Sequence, residues 1–109
     1  MTQHQRVRQQ LQLIEAQLRE HDLWQTTAPA LSAFESTQPF CMDTLAPFEW
    51  LQWVLIPRMS ALIASGAPMP AGFAVAPYYE VALTPVTPGY TALLIALREL
   101  DALFAEPAR

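Results

Sequence analysis

FEWLQWVLIPRM, residues 48–59, sets two tryptophans, a phenylalanine and five aliphatic or thioether side chains around one glutamate, one glutamine, one proline and one arginine. Continued on a helical wheel, Trp50, Leu51, Trp53, Val54, Leu55, Met59, Leu62 and Ile63 cover most of the circumference, leaving a polar strip near Glu49, Gln52 and Ser60. A helix apolar nearly all round is surrounded by other helices, so this stretch predicts the central member of an all-α bundle. It does not read as a membrane span. Pro47, Glu49, Gln52, Pro57 and Arg58 interrupt it, and a span needs about eighteen or more apolar residues in a row.

The ends of this helix follow from local chemistry. Asp43 to Pro47 offers a capping side chain and a first-turn proline, so the helix should begin there. Pro57 removes one backbone hydrogen bond and clashes with the preceding turn, a cost of about 3 kcal/mol or more if unrelieved. Each flanking large apolar side chain returns about 1.5–3 kcal/mol on burial, so the helix should continue with a bend between Trp53 and Pro57. Gly66 and the following APMPAG stop it, because glycine accepts a left-handed cap and the prolines forbid continuation.

On the amino-terminal side, Val7, Leu11, Ile14 and Leu18 are spaced by four, three and four residues between Thr2 and about His21. That is one helical stripe, with Glu15 and Arg19 a turn apart on another face. Asp22 and TTAP (26–29) end it. Residues 25–43, with Pro29 and Pro39, form a connection long enough to be sought for function, pinned by Leu31, Phe34 and Phe40. On the carboxyl side, FAVAPYYEVALTP predicts a short helix from Pro77 to about Leu83. Thr87 and Pro88 should open a last helix whose stripe is Tyr90, Leu93, Leu97, Leu100 and Phe104. The reading is a compact four-helix bundle with a kinked central Trp-rich helix, forming a single domain over 1–109.

Composition bounds the function. The chain has 109 residues, 52% of them hydrophobic and 15% charged, which suits large buried faces or an exposed interaction patch, and a homo-oligomer stays open as one use of that excess. Its six basic residues are all arginine, against ten carboxylates, for a net charge of -4. Phosphate backbones are held by clustered Lys and Arg; without such a cluster, direct nucleic-acid binding is not expected. Cys41 is the only cysteine and the first twenty residues lack the apolar core of a signal peptide, which points to the reducing cytoplasm.

STQPFCMDTLAPFEWLQWVLIPRM (36–59), FAVAPYYE (73–80) and LDALFA (100–105) together resemble the YqcC-like family of small bacterial proteins. The resemblance covers nearly the whole chain and implies a compact all-helical bundle. Some family members are encoded beside, or labelled after, a tRNA pseudouridine synthase, so the resemblance also raises a tRNA-modifying enzyme as a partner. It does not imply that enzyme's activity here: such synthases use a catalytic aspartate in an RNA-holding groove, on a larger mixed α/β scaffold. Asp43 is expected to cap a helix instead.

No other catalytic constellation is evident. His4 and His21 lack the spacing of a metal site, no histidine lies near Cys41 in sequence to activate it, and the three glycines form no phosphate loop. No cofactor, metal or catalytic residue is therefore expected. Aromatic residues and arginine carry interface energy, and prolines stiffen a segment before it binds. On that basis Phe40, Arg58, Tyr78, Tyr79 and Glu80 are expected to form one partner surface. The expected function is non-enzymatic action through protein contacts. The alternative is a small-ligand-binding protein or enzyme with its pocket between the second helix and FAVAPYYE.

Overall fold

Thr2 opens the first helix, α1 (Gln3–Glu20), by a reciprocal cap: its hydroxyl accepts the Gln5 N–H at 3.2 Å while the Gln5 side chain accepts the Thr2 N–H at 2.9 Å. The computed structural model describes residues 2–68 and 73–105. The predicted stripe of α1, Val7, Leu11, Ile14 and Leu18, is buried along its whole length. Its main neighbour is the last helix, α4 (Tyr90–Ala105), which buries Leu93, Leu97, Leu100 and Phe104 in return. Gln10 ties the pair from outside by donating to the Ala96 carbonyl at 2.8 Å.

The central helix α2 covers residues 47–65 as three consecutive pieces: α-helical Pro47–Trp50, a π turn at Leu51–Leu55, and α-helical Ile56–Ser65. The irregularity expected at the proline is thus a wide turn just before it, in which the Ile56 N–H reaches back to the Leu51 carbonyl. An added residue in one turn changes the angular register between the two halves of a helix. Gln52, assigned to the predicted polar strip, is in fact buried with Leu51, Leu55 and Met59; a regular wheel already brings it close to Met59, seven residues on, so its polarity signals a bonded partner and not solvent. The start at Pro47, the expected first-turn proline, is as predicted, but the cap differs. Asp43 does not cap; Ala46 holds that position, and Glu49 accepts the Ala46 N–H at 2.7 Å.

Helices α1 and α2 end alike. After α1, Asp22 takes φ 58° while the Leu23 N–H bonds the Leu18 carbonyl; after α2, Gly66 takes φ 70° while the Ala67 N–H bonds the Leu62 carbonyl. The stop at Gly66 is as predicted, and residues 69–72 of APMPAG lie outside the described residues. The short helix α3 (Ala76–Ala82) starts on a cap that no local pattern announces: Asp101 of α4 accepts the Val75 and Ala76 N–H groups at 2.8–3.0 Å. Burial raises the Asp101 pKa against the lowering effect of those two bonds. Before α4, Thr87 caps no helix with its side chain; its hydroxyl accepts the Thr84 N–H, and Gly89 at φ 71° leads into Tyr90.

All regular elements among the described residues are helical, and the radius of gyration of 13.8 Å is close to the ~13 Å of a compact chain this long. The expected all-α bundle with an irregular Trp-rich centre is the observed architecture. No helix among the described residues is long and apolar enough to cross a membrane.

Candidate functional site

The connection between α1 and α2 is held by side chains that bond its backbone and one another. Gln52 clamps its start, accepting the Gln25 N–H and donating to the Gln25 carbonyl, both at 2.7 Å. The Gln25 side chain in turn accepts from the Trp53 indole at 2.9 Å and donates to Glu49 at 3.1 Å. Further on, two short 3-10 turns occupy Leu31–Glu35 and Pro39–Cys41. Ser36 donates to Asp43, and Thr44 donates to the Ala33 carbonyl at 2.6 Å, folding the segment on itself. Asp43 thus braces the loop. Of the three residues expected to pin it, Phe34 and Phe40 pack on the core, whereas Leu31 is 85% exposed.

Phe40 and Cys41 both have positive φ, 59° and 48°. For residues other than glycine this backbone costs roughly 1–2 kcal/mol each. The ring of Phe40 explains how the cost is met. It stacks on Tyr78 at 4.3 Å with planes 6° apart, and meets Trp50 at 4.8 Å and Tyr79 at 6.3 Å edge-on. Such pairs contribute about 0.5–1.5 kcal/mol each beyond the area they bury, enough to offset two strained residues. The left-handed turn presents Phe40 to α3, where a regular turn would carry the ring elsewhere.

The five predicted site residues fall into three places. Phe40, Tyr78 and Tyr79 form one cluster, with Tyr78 and Tyr79 5.1 Å apart. Tyr79 is fully buried and its hydroxyl donates to the Pro47 carbonyl at 2.7 Å. Burial first, and Tyr78 second, pushes its pKa far above the usual phenol range. It can support a surface from beneath but not touch a partner. Glu80 reaches α4 instead, 3.0 Å from Arg98 in an exposed pair. Arg58 is exposed on α2 and has no ion pair among the described residues.

Arg58 lines a cleft of about 370 Å³ together with Phe34, Cys41, Trp53, Val54 and Pro57. This opening lies between α2 and the connection. At the junction of α2 with FAVAPYYE, where a pocket was expected, the rings of Phe40, Trp50, Tyr78 and Tyr79 pack together. His4 bonds the Ala67 carbonyl at 2.7 Å, and among the described residues no three His, Cys, Asp or Glu side chains converge as metal ligands. Sequence reading missed Gln25, Gln52 and Asp101. Their only local signal is a polar residue beside apolar ones, which an exposed face produces equally well.

The family model described as tRNA pseudouridine synthase C matches residues 6–103. The uncharacterised protein YqcC of Escherichia coli (strain K12) is 56% identical over 108 residues, spanning 99% of each chain. The chain belongs to the YqcC family. The solution NMR structure of that Escherichia coli protein superposes with a TM-score of 0.87, covering 100% of this chain and 93% of the other. An uncharacterised protein of Haemophilus influenzae is 43% identical over 95 residues, 85% of this chain and 90% of its own. A third relative is a tRNA pseudouridine synthase C of Pectobacterium carotovorum subsp. carotovorum, 50% identical over 70 residues, 64% of this chain but 19% of that protein.

Proposed function

We propose that this YqcC-family chain is a non-catalytic cytoplasmic protein that works by contact with another protein, a tRNA-modifying enzyme being the favoured partner. The observation that carries the reading is the strained pair Phe40–Cys41, with Phe40 stacked on Tyr78. Unusual backbone maintained against its cost is found most often where a segment binds something. Phe40 and Tyr78, stacked together, and Arg58, exposed separately on α2, supply the residue types that dominate interface energy; Tyr79 packs against Phe40 and Tyr78 from the core, and Glu80 is in an exposed pair with Arg98. The choice of partner is supported by the longer Pectobacterium protein named tRNA pseudouridine synthase C, which carries a related segment within its own chain. The net charge of -4 favours a protein partner over the RNA itself.

The test mixes the purified chain with the tRNA pseudouridine synthase C of the same organism and reads complex formation by size-exclusion chromatography. A complex should form and be lost in Tyr78→Ala with Arg58→Glu, while circular dichroism stays unchanged. The chain alone should neither retain tRNA at physiological salt nor convert uridine. Uridine isomerisation by the chain alone, or a salt-sensitive tRNA complex, would overturn the reading.

A further inference from the structure

Beside the partner surface, and sharing Arg58 with it, lies the cleft of about 370 Å³ between α2 and the connection. Its volume lies in the range of small-ligand sites, which are apolar clefts with a few polar groups that fix orientation. The walls fit that description. Phe34, Trp53, Val54 and Pro57 give flat or aliphatic surface, Cys41 gives a thiol, and Arg58 supplies the charge. Trp53 with Pro57, and Val54 with Arg58, are each four residues apart on one side of α2, just where the π turn meets the α-helix.

The charges nearby decide the ligand's chemistry. Glu49 is engaged by the Ala46 N–H and the Gln25 amide, and Asp43 by the Ser36 hydroxyl. The ion pairs among the described residues use Arg19 and Arg98, so Arg58 brings to the cleft a guanidinium that is in none of them. The Trp53 ring is held in place by its indole bond to Gln25, which keeps one aromatic wall fixed. A guanidinium recognises a carboxylate through paired N–H donors, and fixed rings favour a flat apolar body.

We infer that the cleft lined by Phe34, Cys41, Trp53, Val54, Pro57 and Arg58 binds a small carboxylic acid with a flat apolar body, its carboxylate on Arg58. The acid group and the ring are both required: the cleft alone is too open to hold an apolar molecule, and an exposed arginine alone holds an anion weakly.

The probe is naphthoate, with its neutral amide naphthamide as control. The chain has three tryptophans, so a nitrogen-15 spectrum has three indole signals, and Trp53→Phe assigns the relevant one. Naphthoate should shift the Trp53 signal saturably and slow alkylation of Cys41. Naphthamide should bind at least about tenfold more weakly, as should naphthoate to Arg58→Gln, a difference of about 1.4 kcal/mol. Arg6→Gln, on α1, should bind naphthoate like the parent. Iodoacetate should alkylate Cys41 faster, relative to iodoacetamide, than it alkylates a free thiol, and Arg58→Gln should abolish that preference. Equal binding of acid and amide, unchanged binding in Arg58→Gln, or no saturable shift of Trp53 would each overturn the inference. Arg58 serves in both readings, so Tyr78→Ala alone, outside the cleft, separates them: it should weaken complex formation with the synthase and leave naphthoate binding unchanged.

Discussion

Replacing Gln52 by leucine should loosen the whole connection between α1 and α2. The Gln52 side chain is 4% exposed and makes both of its bonds to the backbone of Gln25, at 2.7 Å each. Leucine fills similar space but leaves the Gln25 N–H and carbonyl without those partners. An unsatisfied buried polar group costs about 1–3 kcal/mol, so two cost about 2–6 kcal/mol. The newly buried leucine returns about 1.5–2 kcal/mol. The net loss expected is about 0.5–4 kcal/mol, against the 5–15 kcal/mol typical of a domain. Urea unfolding should record it as a lower midpoint, and limited proteolysis should cut within residues 25–46 faster than the global loss accounts for. Gln52→Glu should be worse still, since it removes the donor and buries a charge. An unchanged midpoint with unchanged cleavage in Gln52→Leu would refute the clamp.

Tyr79 should give stability a dependence on alkaline pH. Its folded pKa is raised, so its contribution is fully present below the unfolded value near 10 and is lost as pH rises above it; Tyr79→Phe should remove that dependence in urea melts near pH 10. The two tryptophans of α2 should differ: Trp50→Ala, at 8% exposed, should cost about 3–5 kcal/mol, and Trp53→Ala, half-buried, clearly less, as read from denaturant midpoints. Equal losses would mean that ring burial does not set the cost. Gly89→Ala should be more damaging than Gly66→Ala. Both have φ near 70°, but a Cβ on Gly89 would run into the His21 ring, whereas Gly66 faces open space at a cost of roughly 1–2 kcal/mol. Thermal melts that rank them the other way would contradict the packing of the α1 end on the α4 start.

Most of the architecture was legible because it is periodic. The α1 stripe matches its buried face residue for residue; the α4 stripe is buried except at the half-buried Tyr90, with Leu94 and Ala96 buried beside it, and Gly66 ends α2 where expected. Grouping Phe40 with Tyr78 and Tyr79 also agrees with the observed ring cluster. Less of the proposed site could be read. Tyr79 was expected on a surface and is in the core, because an aromatic in a short helix carries too few neighbours to define an inward face. Asp43 was expected to cap and instead braces the loop, since capping competes with any hydroxyl that folds within reach.

The helices of α1 and α4, their apolar stripes and the stop of α2 were determined by the sequence itself, because the 3.6-residue period and glycine stops act over one or two turns. Only the tertiary structure decided the rest. Asp101 caps α3 from 25 residues away, Gln52 turns inward to hold Gln25, and a left-handed turn at Phe40 lets its ring reach Tyr78. Each of these joins groups far apart in the chain through one or two contacts. Such contacts leave no repeating pattern in the sequence, and they exist only once the helices have brought the groups together.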